Sequence, residues 1–220
     1  GARQGGDNNS GRDADGAAIS VPTPSPGFLA VLTEPDQGIA PIYALLQAAR
    51  HSIDLTMYEL VDTQAVQELE SAAAGGVTVR VILDTNREKA ANTPAYDGLK
   101  AHGVQVTWAD TRYAATHEKT IVVDRSAAAI MSLNLTSRYY GDTRDFAVLD
   151  RQPADVAAIE QVFDADFRHA RVTAPRGADL VWSPGSEPAL LQVVNQATTT
   201  LVVENEEMAL PAVTSARVKA

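Results

Sequence analysis

The chain has 220 residues, 45% of them hydrophobic, no cysteine, and a formal net charge of −10 at pH 7. That apolar share supports one good-sized core, or one core and part of another, and no run approaches the ~20 apolar residues of a membrane-spanning helix. The absence of cysteine excludes disulfides and thiolate metal sites, and the acidic balance argues against a protein drawn to polyphosphate by its overall field.

Residues 1–27, GARQGGDNNSGRDADGAAISVPTPSPG, are rich in Gly, Asp, Asn, Ser and Pro and poor in large apolar residues. Such a stretch buries too little surface to offset its ordering entropy, which predicts a flexible leader. It lacks the charged-then-apolar pattern of a signal peptide. Its Pro-rich tether favours a segment behind a cleaved export signal or a lipid-anchored start, so an exported, secreted or cell-envelope, bacterial-type protein is expected.

From Phe28 the pattern becomes globular. FLAVL (28–32) reads as a strand, GIAPIYALLQAAR as a helix, and SIDLTMY as a strand with Ile53, Leu55 and Met57 on one face. TQAVQELESAAAGG is a helix closed by a glycine pair, VTVRVILD a buried strand, YDGLKAHG a helix and VQVTW a strand. This β-α-β-α-β-α-β order argues for an α/β fold, an α-β-α sandwich with a mixed, largely parallel sheet. EKTIVVD and AAAIMSL then form a hairpin about Arg125 and Ser126. DFAVLD follows as a strand and PADVAAIEQVFDADFRHA as a helix with Pro153 in its first turn.

From residue 178 the pattern restarts. Shifted by 148 positions, IYALLQAARHSIDLTMYEL falls on LLQVVNQATTTLVVENEEM, pairing Leu46 with Val194, Ala49 with Ala197, Ile53 with Leu201, Glu59 with Glu207 and Leu60 with Met208. The expectation is one whole repeat over 28–172 and the opening of a second, incomplete one over 178–220.

The chemistry concentrates between Arg112 and Arg144, where five Lys and Arg face three acids. Strand side chains alternate, so His117 and Lys119 are expected on one face of a strand and Asp124 on the other. Across the hairpin, Ser132 and Asn134 share a face. An imidazole, an ammonium, a hydroxyl and an amide on neighbouring strands suit attack at phosphorus. A neutral imidazole can form a covalent phospho-histidine, while Lys and the Ser and Asn donors neutralise the non-bridging oxygens. No metal or other cofactor is required. HEKTI begins like the zinc-protease motif H-E-x-x-H, but its fifth residue is Ile121 and its β-branched residues suit a strand, not the helix that motif needs.

His117-x-Lys119-x4-Asp124 resembles the H-x-K-x4-D signature of the phospholipase D superfamily, and MSLNLT resembles its G-S-x-N segment. The resemblance covers residues 28–172. It departs at Met131, where the family has Gly, and at Asp145, where it often has Glu. It implies His117 as nucleophile or general acid, Lys119, Ser132 and Asn134 as phosphoryl-oxygen ligands, Asp145 as the group orienting His117, and Asp124 as a structural tie. Family enzymes use two copies of the motif. The second half is therefore expected from a missing segment, a separate fragment or a homodimer mate. The first expectation for function is a phospholipase D hydrolysing or transferring phospholipid head groups, with peripheral membrane contact. The alternatives are a nuclease using the same residues, which the net charge disfavours, and a binding module without turnover. Trp108 and Tyr113 could line an acyl or base pocket, with core packing the favoured reading, and His51, His102 and His169 are expected on the surface. Arg138, Tyr139 and Tyr140 could reach a head group or form an ordinary polar loop.

Overall fold

The computed structural model describes residues 27–175, 179–207, 209 and 211–217. The leader over 1–26 and Met208 lie outside the described residues. The described chain falls into two units, the first ending before residue 178 and the second beginning after it.

The first unit runs β1 (Leu29–Glu34), α1 (Ala40–Gln47), β2 (Ser52–Met57), α2 (Thr63–Ala74), β3 (Thr78–Leu83), α3 (Lys89–Ala101), β4 (Gln105–Trp108), β5 (Lys119–Val123), β6 (Ala127–Met131), a 3-10 turn (Ser137–Tyr139), β7 (Asp145–Asp150) and α4 (Pro153–Phe167). Local chemistry explains several boundaries. Asp62 caps α2 by accepting from Gln64 N at 2.9 Å, and Gly76, at φ 90°, lets the chain leave that helix in a conformation open to glycine. The β5–β6 hairpin turns through Asp124 and Arg125, both at positive φ (51° and 52°), as a tight hairpin turn requires.

The seven strands form one sheet in the order β1-β7-β6-β5-β2-β3-β4. The sheet is mixed, as expected, but its parallel part is smaller than the βα rhythm implies. Among these strands only β2–β3 and β3–β4 pair parallel. The β1–β7, β7–β6, β6–β5 and β5–β2 ladders are all antiparallel. A parallel pair needs a crossover connection, usually a helix. The chain from β4 to β5 has no such helix, and β1 pairs with distant β7 instead of with β2.

Strand alternation divides the core. Ile53, Leu55 and Met57 of β2, Val79, Val81 and Leu83 of β3, and Ile121 and Val123 of β5 pack with Ile42 and Leu46 of α1, Leu69 of α2 and Leu99 of α3. Each such fully buried side chain contributes roughly 1.5–3 kcal/mol. The opposite face is covered by α4, where Phe163 packs with Ile82 and Ala109. Arg80 lies on this second face. It donates to Asp54 at 2.6 and 2.7 Å and to Asp164 at 2.6 Å, with its guanidinium 4.9 Å from the Phe163 ring centroid. The helix–sheet–helix layering of an α/β sandwich follows directly.

In the second unit α5 spans Glu187–Asn195 and α6 spans Pro211–Arg217. Shifted by 148 positions, α1 falls on 188–195, inside α5. Residues 200–205, which the same shift matches to β2, form no strand, and Val202 is 91% exposed.

Candidate active site

The site forms where β2 and β3 end. Crevices outside the carboxyl ends of strands are where α/β sheets bind ligands, because helix starts and loop backbone converge there. Lys119 begins β5 opposite Met57, the last residue of β2. His117 therefore lies beyond the strand, not on it as alternation predicts. β5 has no β2 residues left to pair with, and the backbone before it is held otherwise. Thr116 N donates to Asp84 Oδ1 at 2.6 Å, and Asp84 Oδ2 accepts from Arg87 N and Glu88 N at 2.7 and 2.9 Å. Asp84, 1% exposed, thus pins the approach to His117 to the loop after β3.

His117 is exposed and Lys119 buried. The Lys119 ammonium donates to the His117 carbonyl at 2.7 Å and lies 5.0 Å from the Tyr58 ring centroid. The same ring meets the His117 imidazole edge-on, with centroids 4.5 Å apart at 69°. Tyr58 is thus the platform on which both motif residues rest, and burial followed by its bond to Glu88 pushes its phenol up. Glu118, between the two, belongs to the other face. Burial drives its carboxyl up to about 7, the Thr120 hydroxyl opposes that, and the Asp166 charge adds to it.

A buried asparagine holds the Tyr58–Leu60 segment. Asn92 of α3, 0% exposed, donates to the Tyr58 carbonyl at 2.8 Å and accepts from Leu60 N at 2.8 Å. Between these two anchors, Glu59 N donates to Asn134 Oδ1 at 3.3 Å. With its oxygen committed to that N–H, the Asn134 amide is oriented and its NH2 is the donor pole. The Glu59 carboxylate accepts from Thr136 Oγ1 at 3.0 Å and pairs with Arg138 at 3.3 Å.

Ser132 and Asn134 also lie past their strand, since β6 ends at Met131. Ser132 N donates to the Phe146 carbonyl at 2.9 Å. The Ser132 hydroxyl donates to Asp145 Oδ1 at 2.7 Å and accepts from Phe146 N at 2.9 Å. Asp145 Oδ2 accepts from Thr143 Oγ1 at 2.9 Å, so the bonds described for Asp145 run to Ser132 and Thr143.

Asp124 occupies the opposite end of β5. Its carboxylate accepts from the backbone N–H groups of Arg50 (2.9 Å), His51 (2.6 Å) and Ser52 (2.9 Å). Burial pushes this carboxyl up, but the three backbone bonds, from Ser52, His51 and Arg50, outweigh burial and hold it below the usual range. Asp124 ties the hairpin to the start of β2.

Of the other aromatic residues, Trp108 stacks on Tyr96 at 4.3 Å and 3°, and both pack against the main core. Tyr113 takes the Arg112 guanidinium 5.3 Å from its ring centroid. Tyr140 donates to Asp62 Oδ2 at 2.8 Å, the oxygen that also accepts from Tyr43, which ties the 137–142 loop to the start of α2. His51, His102 and His169 are exposed, as expected. Sequence reasoning missed Tyr58, Glu59, Asp84 and Asn92. The available signal was position: Tyr58 and Glu59 directly follow the buried run of β2, and Asp84 directly follows that of β3.

The family described as cardiolipin synthase, PLD-like domain, matches residues 42–167. The chain belongs to this phospholipase D-like family, within the superfamily of phospholipase D-type phosphodiesterases. Nuc from Salmonella typhimurium, a phospholipase D family member, superposes with a TM-score of 0.59 at 18% identity, over 67% of this chain and 98% of Nuc. NucT from Helicobacter pylori gives 0.54 at 12% identity, over 64% of this chain and 95% of NucT. Polyphosphate kinase from Porphyromonas gingivalis gives 0.59 at 14% identity, over 76% of this chain but 31% of the kinase. These likenesses establish the shared fold. A comparison with curated protein sequences finds no match.

Proposed function

We propose that the chain supplies one half of a metal-independent phosphodiesterase that works through a phospho-histidine and acts on phospholipid head groups. The observation that carries this reading is the Tyr58 platform, with the His117 imidazole at 4.5 Å and the Lys119 ammonium at 5.0 Å, adjoining Glu59 and the Asn134 amide it orients. A ring nitrogen of His117 attacks phosphorus, the P–O bond to the leaving alcohol breaks, and that oxygen takes a proton from a general acid on the far side. Lys119 and the Asn134 amide neutralise the non-bridging oxygens. Ser132 joins them once its hydroxyl turns from Asp145. Water or an alcohol, deprotonated by the far-side group, then attacks phosphorus and the P–N bond breaks, restoring His117. The far-side group is a second imidazole, from a second motif-bearing half or a second copy of the chain. An acid and a base on opposite sides of the displaced group are what this displacement needs.

Lipid is favoured over nucleic acid by the net charge of −10, since non-specific nucleic-acid binding rests on phosphate neutralisation. The test is head-group release from phosphatidylcholine vesicles and cleavage of single-stranded DNA, measured over a range of chain concentrations beside His117→Asn. The expected result is release that rises with self-association or with the added second half, falls to background in His117→Asn, and passes through an alkali-stable, acid-labile phosphoprotein. Turnover undiminished in His117→Asn would overturn the mechanism. DNA cleavage without head-group release would move the substrate to nucleic acid.

A further inference from the structure

Behind Ser132 and Asp145 lies a carboxyl with no part in the mechanism above. Glu34 is the last residue of β1 and pairs directly with Asp145, the first residue of β7. Side chains directly opposite on an antiparallel pair share a face with Cβ atoms roughly 4.5–5.5 Å apart. Glu34 is 5% exposed, and its Oε2 is enclosed with no hydrogen-bond partner. The backbone around it is firmly held: Arg144 donates to the Glu34 carbonyl at 3.0 Å and pairs with Asp36 at 2.5 Å.

Two carboxyls at the end of one ladder cannot both be ionised cheaply. Their bonding differs. Asp145 accepts hydroxyl bonds on both oxygens, from Ser132 at 2.7 Å and Thr143 at 2.9 Å, as a carboxylate does. Glu34 has an enclosed oxygen that receives nothing, which suits the neutral acid. Burial first, and the Asp145 charge second, push the Glu34 carboxyl up. The charged groups flanking it are Asp145 on β7 and the Arg144–Asp36 pair at its backbone.

We propose that Glu34 is a positioning residue, acting through Asp145 on the Ser132 hydroxyl and so on the phosphate-binding end of the sheet. While Glu34 is neutral, Asp145 keeps Ser132 and Thr143. When Glu34 ionises, the two like charges separate, and the Ser132 hydroxyl loses its anchor. The catalytic consequence rests on the role given to Ser132 above, whereas the coupling of the three residues stands without it.

The experiment is a carboxyl-13C and amide-15N titration of the full chain, for wild type, Glu34→Gln and Asp145→Asn. Wild type should show a step at the Glu34 carboxyl carbon, above the ~4.3 of an ordinary glutamate, followed by the Ser132 amide. In Glu34→Gln that step should vanish from Ser132. In Asp145→Asn the Glu34 step should move to lower pH. A wild-type titration with no step at Ser132, or a Glu34 step unmoved in Asp145→Asn, overturns the proposal even if Glu34→Gln folds poorly. Where turnover is measurable, the wild-type rate should rise through the same step, as the freed Ser132 hydroxyl turns to the phosphate, and Glu34→Gln should lose that rise. A lost NMR step with an unchanged profile would refute the role of Ser132 and leave the coupling standing.

Discussion

Asn92 holds the segment that carries Tyr58 and Glu59, and Asn92→Ala should destabilise the fold and the site together. Wild-type Asn92 joins α3 to the Tyr58–Leu60 segment through two bonds of 2.8 Å, with a weaker third to the Asp84 carbonyl at 3.4 Å. Each such neutral bond contributes ~0.5–1.5 kcal/mol, and each buried group left without a partner costs about 1–3 kcal/mol. Truncation to a methyl group would leave the Leu60 N–H and the Tyr58 carbonyl unpaired beside a small void. The expected loss is about 3 kcal/mol after partial rescue by entering water. With a urea slope of about 2 kcal/mol/M, the unfolding midpoint should fall by about 1.5 M. Asn92→Asp separates the two bonds, since it keeps the acceptor for Leu60 N and replaces the donor to the Tyr58 carbonyl with a charge. It should be at least as destabilised near neutral pH and recover towards acid pH, where the protonated side chain can donate again. Amide shifts at Glu59, whose N–H bonds to Asn134, should move in both variants. A loss below about 1 kcal/mol, or an unperturbed Glu59 amide, would show that the segment holds its shape without Asn92.

Further expectations follow from the same contacts. Tyr58→Leu should lower kcat with the fold intact, because it removes the ring touching both His117 and Lys119, whereas Tyr58→Phe should retain most activity. Steady-state kinetics on the pair checks this. Arg80→Met would leave Asp54, 1% exposed, without its cation, and should cost about 3–5 kcal/mol in urea unfolding. Glu118 and Glu160 are both pushed up to about 7, Glu160 by burial first and then by Asp54. An unfolded Glu loses its proton near ~4.3, so between that pH and about 7 the folded chain binds more protons. Stability should therefore fall as pH rises through this window, with a slope that Glu118→Gln with Glu160→Gln reduces, as urea midpoints across pH would show.

Much of this molecule is legible along the chain because two periodicities are local. The alternation of Ile53, Leu55 and Met57 predicts which face of β2 meets the helices, and those residues are in the main core. The spacing of His117, Lys119, Ser132 and Asn134 singles out the segments that meet at one end of the sheet. Alternation misplaces His117 and Ser132 themselves, because a strand ends where its neighbour stops pairing. β5 starts opposite the last residue of β2, and no property of residues 117–119 encodes that. The share of parallel pairs is misjudged for the same reason, since β1 joins β7 from the far end of the unit.

By itself the sequence determined the α/β class, the core-facing side of β2 and the spacing of the motif residues. Those depend on side-chain type and on spacing over a few residues. Only the tertiary structure decided that Tyr58 underlies both His117 and Lys119, that Asn92 holds the segment carrying it, and that Glu34 stands opposite Asp145. Those contacts join residues tens of positions apart. They are set by which strands pair and where each ladder ends, so they exist only once the whole sheet has formed.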